Sequence, residues 1–198
     1  MAKVLFIKAN PKEVEDSNTF QLATAFLNEY KKINPDDTID FIDLYEEEHL
    51  TFIDQKMLRQ MLSGEDNVMA QYAKHFTEYD KYVFAAPLWN LSFPAILKAY
   101  FDYISYAGIT FKYTEQGSIG LLKDRPRKAI YITSRGGDYT TGPLKDLGEL
   151  YIHTLLKFFG IEQVETLALD NTNVLVGEAL QKAREEAYER AREVAYRF

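Results

Sequence analysis

The residues with the most chemical potential fall in three short stretches. Ser17, Asn18 and Thr19 place two hydroxyls and an amide at the start of an amphipathic helix. Free backbone N–H groups and the dipole there favour an anion, a phosphate above all. The same residues also serve as a plain N-cap. The loop carries neither the G-x-G-x-x-G fingerprint nor the Walker lysine pattern. Leu88-Trp89-Asn90-Leu91 lies between Pro87 and Pro94, directly after the apolar run Val83-Phe84-Ala85-Ala86. A large aromatic and an amide thus occupy a loop at the carboxyl end of a strand, where open α/β sheets bind ligands; a packed Trp in an ordinary connection is the alternative. Ser134-Arg135-Gly136-Gly137 follows another apolar strand. Its glycines let backbone approach a flat ligand and turn successive N–H groups toward ligand oxygens; a solvated loop is the alternative there.

Other chemistries lack their residues. The chain has no cysteine, which removes disulfides, thiolate catalysis and Fe–S ligation. His49, His75 and His153 show no metal-ligand spacing. There is no H-E-x-x-H and no G-x-S-x-G elbow. A crevice without an evident nucleophile, metal set or acid–base pair points to a cofactor that carries the reaction.

The elements that must position these loops alternate along the chain. Strands are expected at Lys3 to Ala9, Thr38 to Leu44, Asp80 to Ala86, Lys128 to Thr133 and Val164 to Leu169. Between them the apolar period changes to that of helices. Met57, Leu58, Met61 and Leu62 begin one stripe, Gly64 breaks it, and Val68, Tyr72 and Phe76 continue it. A helix is expected to start at Pro94 and close at Gly108, and an extended excursion with a glycine turn spans Thr110 to Ser118. A further helix carries Leu144, Leu147, Tyr151, Leu155 and Phe158, and the last presents Val176, Leu180, Ala183, Ala187, Ala191, Val194 and Phe198 on one face. Such alternation predicts a doubly wound, five-stranded parallel sheet of flavodoxin-like order 2-1-3-4-5, with helices on both faces. Residues 1–198 are expected to form a single domain.

Composition narrows the partners. Lys and Arg number 23 against 30 Asp and Glu, a formal charge of −7. An acidic chain without a basic stripe argues against nucleic acid. The opening run is too short for a signal peptide and no apolar run suits a membrane span, so a cytoplasmic protein is expected.

Pro87-Leu-Trp-Asn-Leu91, Ala107-Gly-Ile-Thr-Phe-Lys-Tyr-Thr-Glu-Gln-Gly117 and Thr133-Ser-Arg-Gly-Gly137 followed by Gly142-Pro143 occur in order and at suitable separations. With these segments the chain resembles, over nearly its whole length, the FMN-dependent NADH-azoreductases, also described as FMN-dependent NADH:quinone oxidoreductases. The resemblance implies that Asn10, Ser17, Asn18 and Thr19 hold the FMN phosphate end. It implies that Pro87, Leu88, Trp89, Asn90 and Leu91 lie along the flavin ring, and that Ser134, Arg135, Gly136 and Gly137 contact its pyrimidine side. Tyr113 and Phe158 would wall the site, partly across a homodimer interface, with Tyr139 near the stacking nicotinamide or acceptor. The implied reaction is two-step and ping-pong: NADH delivers a hydride to bound FMN, then a quinone or azo compound takes the same slot and two electrons. A branched side chain at Gly136 is expected to occupy space the ring needs. One rival reading is a flavodoxin-type electron carrier without its own NADH-dependent substrate site; another is a flavodoxin-like interaction or signalling module without cofactor. The stretches Thr110 to Ser118 and Asp138 to Leu144 argue against the carrier, because they would wall the flavin over.

Overall fold

A computed structural model describes residues 1–64, 67–141 and 145–198. In chain order the elements are β1 (Lys3–Lys8), α1 (Asn18–Ile33), β2 (Thr38–Asp43), α2 (Gln55–Ser63), α3 (Val68–Thr77), β3 (Lys81–Ala85), α4 (Ala95–Ile104), β4 (Phe111–Thr114), β5 (Gly117–Gly120), β6 (Lys128–Ser134), α5 (Leu147–Phe159), β7 (Gln163–Leu169) and α6 (Gly177–Arg197). Five strands form a parallel sheet in the order β2-β1-β3-β6-β7. Counted without the β4–β5 hairpin, this is the expected 2-1-3-4-5.

The alternation of strand side chains builds two cores. Leu5, Ile7, Tyr82, Phe84 and Tyr131 face α3, α4 and α5, meeting Phe76, Leu97, Phe101, Ile152, Leu156 and Phe159. Val4, Phe6, Val83, Ala85, Ile130 and Ile132 face the other way, against Phe20, Phe26 and Tyr30 of α1 and Ala187, Ala191 and Val194 of α6. Central strands buried on both faces must read as continuous apolar runs, which is how β1, β3 and β6 read.

Helix ends follow local chemistry. Ser17, Asp54, Asn67 and Asp146 cap α1, α2, α3 and α5 by accepting from backbone N–H groups of the first turn. Gly64 ends α2 in the left-handed region, with φ +72°. Pro94 precedes α4 as its capping residue, in extended geometry. The excursion from Thr110 to Ser118 is the antiparallel β4–β5 hairpin. The apolar stripe of α6 is shorter than its period implies: Val176 precedes the helix and is 77% exposed, and burial is confined to the stretch from Ala187 onward. Leu144 and the Gly142-Pro143 pair lie outside the described residues. Among the described residues, no helix is long and apolar enough to cross a membrane.

Candidate functional site

At the carboxyl edge of the sheet, the loops after β1, β3, β6 and β7 surround a polar cavity of about 190 Å³. The loop after β1 contributes Asn10, Lys12, Asp16, Ser17 and Asn18. Asn10 is buried and donates from Nδ2 to Ser17 Oγ at 3.0 Å, while its Oδ1 accepts from Lys12 N at 3.1 Å. Ser17 Oγ accepts a second bond from Phe20 N at 3.2 Å. Both lone-pair directions of that hydroxyl are then engaged, so its proton is the group left to give. A spare O–H, the first-turn amides of α1, the Asn18 side chain and the Lys12 ammonium form a donor set suited to a phosphate. The Asp16 carboxylate opposes it.

The β3–α4 loop supplies Pro87, Leu88 and Trp89. Trp89 and Ser92 exchange backbone bonds, Trp89 N to Ser92 O at 2.6 Å and Ser92 N to Trp89 O at 3.0 Å. Between them Asn90 and Leu91 both hold positive φ, 51° and 70°, the geometry of a two-residue type I′ turn. Leu91 has no side-chain preference for that region, and the turn is pinned by Leu147 N donating to Leu91 O at 2.8 Å. Trp89 also borders an apolar cleft of about 760 Å³, lined by Tyr45, Leu50 and Phe52 on one side and Phe93, Pro94 and Ile96 on the other, with Asn90 at its edge. The polar cavity and the apolar cleft therefore meet at one half-exposed indole.

The loop after β6 closes the third side with Ser134 and Gly136. Ser134 Oγ lies 2.7 Å from Thr19 Oγ1, and Ser134 O accepts from Leu88 N at 3.0 Å. Thr172 and Asn173, from the loop after β7, complete the lining. Asn173 N donates to Gly136 O at 3.1 Å.

The structure thus brings together Asn10, Ser17, Asn18, Pro87, Leu88, Trp89, Ser134 and Gly136. It places the other expected residues elsewhere. Thr19 is buried behind the cavity on Ser134. Asn90 faces the apolar cleft, and Leu91 is turned outward at 37% exposure. Gly137 uses its carbonyl on Asn171 N. Arg135 departs most. Its guanidinium is 5% exposed and sits among Asp170, at 2.5 and 3.1 Å, Glu149 at 3.1 Å and Asp146 at 3.5 Å. Its backbone is spent on Leu169 O and Thr172 N. Burial opposes its charge, but Asp170 and the other two carboxylates outweigh that and hold its pKa above the ordinary value. Burial pushes the Asp146 carboxyl up in turn, against the lowering by Glu149 N–H and Arg135. Arg135 therefore locks the β6 loop to α5 and to the end of β7.

Tyr113 and Phe158 border neither space; they cluster through Phe111, with ring centroids 5.3 and 4.9 Å from it. Tyr139 lines a separate polar recess with Arg135, Thr140 and Asp170. Thr172 and Asn173 escaped the reading of the sequence, and only their place after the last strand marks them. Among the described residues, no group of His, Asp or Glu is arranged to hold a metal ion.

Residues 2–195 match a protein family described by its flavodoxin-like fold. An FMN-dependent NADH:quinone oxidoreductase of Clostridium perfringens is 46% identical, with both chains covered completely. One from Coprothermobacter proteolyticus is 45% identical over the full length of both. Among solved structures, an azoreductase from Bacillus anthracis superposes with a TM-score of 0.91 at 36% identity over 100% of both chains. An FMN-dependent NADH-azoreductase of Bacillus anthracis, solved in complex with FMN, gives 0.87 at 31% identity over 98% of each. With full-length identities of this size and the expected sheet order, the chain belongs to the flavodoxin-like family of FMN-dependent NADH:quinone oxidoreductases and azoreductases.

Proposed function

We propose that this protein is an FMN-dependent oxidoreductase that takes a hydride from NADH and delivers two electrons to quinones or aromatic azo compounds. The observation that carries the reading is the junction at Trp89, where a donor-lined cavity meets an apolar cleft. FMN has this division of character, an anionic tail on a flat ring. Ser17, Asn18, Asn10 and Lys12 hold the phosphate, and Leu88, Trp89, Ser134 and Gly136 border the ring. Bound FMN supplies the hydride chemistry; the protein orients the ring, excludes water and leaves one apolar slot for donor and acceptor in turn. A shared slot makes the kinetics ping-pong. NADH as the electron donor supports a cytoplasmic location.

The working unit is a homodimer. Leu147, Leu150 and Phe158 are 50%, 63% and 37% exposed, and their spacing puts them on one face of α5. Tyr113 of the adjoining hairpin, 74% exposed, extends this apolar surface, reaching Phe158 through Phe111. A second copy covering it would bring Tyr113 and Phe158 into a shared site, a role neither has within one chain.

An anaerobic visible spectrum tests the reading. The protein loaded with FMN should lose its flavin absorbance on adding NADH and regain it on adding a quinone. A flavin that NADH does not bleach, but a separate reductase does, would make the protein an electron carrier. Failure to bind FMN would overturn both.

A further inference from the structure

α6 lies against α1, and its first half reaches the polar cavity from behind. Arg184 Nε donates to Asn18 Oδ1 at 3.0 Å. One turn further, Tyr188 Oη donates to Gln21 Oε1 at 3.1 Å. Gln21 Nε2 in turn donates to the carbonyl of Glu15 at 2.7 Å, in the loop that leads into α1. Two residues four apart on α6 thus grip two residues three apart on α1, as matching helix faces allow.

The grip on Asn18 has a chemical consequence. A primary amide can present either its oxygen or its N–H₂ to a ligand. A guanidinium has donors only, so it holds whichever end is the acceptor. With its oxygen taken by Arg184, Asn18 has its N–H₂ left for the cavity, which Asn18 lines and Arg184 does not. Without that hold the amide is able to rotate and point an oxygen at an anion.

We propose that Arg184 is a positioning residue for the cofactor phosphate, acting through the orientation of the Asn18 amide. The inference rests on the reading that FMN binds with its phosphate at the start of α1. The arginine stands on α6, outside the lining of the cavity, and acts only through its hold on Asn18.

The test is titration of apoprotein with FMN and with riboflavin, which lacks the phosphate, followed by quenching of flavin fluorescence. The parent protein must prefer FMN to riboflavin; if it does not, the phosphate reading itself fails. Given that preference, Arg184→Met should weaken FMN roughly tenfold, the loss of about one hydrogen bond to a charged group, and leave riboflavin unchanged. In an Asn18→Ala background, Arg184→Met should have no further effect on FMN. Unchanged FMN binding by Arg184→Met overturns the proposal. So does an equal loss for riboflavin, which would mean a loosened fold, and so does an additive effect in the double variant, which would mean that the charge acts directly. Asn18→Asp is independent of whether Arg184→Met folds. It keeps an acceptor for Arg184 but removes the N–H₂, so it must lose the preference for FMN; its retention would equally refute the role.

Discussion

Gly136 shows how much a single missing side chain fixes. A Cβ built there would stand 2.5 Å from Asn173 Nδ2 and 3.1 Å from its Cγ. Within the chain itself, the first group displaced by a substitution is therefore a neighbouring amide. Asn173 lines the polar cavity and ties to Gly136 O through its own N–H, so pushing it away reshapes the cavity. Gly136→Ala should release FMN more readily than the parent, and adding Asn173→Ala should recover part of that loss by opening the space. Dissociation constants for the single and double variants decide it. If the double variant is as weak as the sum of the singles, the clash is with something else. His153 permits a pH prediction. Its Nε2 lies 2.9 Å from Thr166 Oγ1. Burial lowers its pKa below the ordinary 6.5, with Glu149 opposing and Lys157 assisting. The folded protein then binds its proton later than the unfolded chain does. Stability from this site is intact above pH 6.5 and falls as the pH drops through 6.5 toward the folded value. His153→Gln keeps a partner for Thr166 without a titrating group. Its urea midpoint should fall less than the parent's between pH 7 and pH 5; equal falls would show that His153 contributes nothing to the slope.

At the scale of elements, the type I′ turn at Asn90–Leu91 is held against local preference. An L-residue in the left-handed region costs about 1 kcal/mol relative to glycine. Leu91 sits there at φ 70° with 37% of its surface exposed, so burial of the rest offsets only part of that cost. Leu91→Gly should leave the turn in place and raise the stability of the apoprotein by up to about 1 kcal/mol, less what glycine adds to the unfolded chain's entropy. A lower urea midpoint would show that packing of the leucine outweighs the strain. The sequence did not reveal this strain, because Trp-Asn-Leu-Ser lacks the Asn-Gly signal of such turns. It did reveal the elements themselves. β1, β3 and β6 were legible because a strand buried on both faces cannot interrupt its apolar run, and Gly64 marked the α2–α3 break because only a residue tolerant of positive φ ends a helix that way. Val176 misled because its spacing continued the period of α6 into the preceding loop. The side chain of Arg135 was illegible for a deeper reason. Its partners lie 11, 14 and 35 residues away, so no local pattern tells which way its side chain turns. The same long-range closure hid Thr172 and Asn173, which the fold alone delivers to the cavity.

For the whole molecule, the remaining question is what covers α5. The core side of this helix holds Ile152, Leu156 and Phe159, and its outer side presents Leu147, Leu150 and Phe158. A helix apolar on both sides belongs between two layers, and the described residues of one chain cover only its core side. The proposed symmetric dimer would supply the other, and each residue would then enter the interface twice. Leu150→Asp would remove two leucine burials and place two carboxylates in an apolar contact. The leucines alone account for about 3 kcal/mol at the low end of side-chain burial, which weakens association at least roughly 100-fold. Light scattering during size exclusion should find the parent at twice the chain mass and the variant at the mass of one chain. FMN should remain bound in the variant, because the polar cavity is built from one chain's loops, whereas bleaching by NADH should slow as Tyr113 and Phe158 lose their place beside the partner's site. A variant that stays dimeric would move the interface off α5. A variant that becomes monomeric with full NADH reactivity would confine the whole reaction to the single chain, with Trp89 and its apolar cleft sufficient for it.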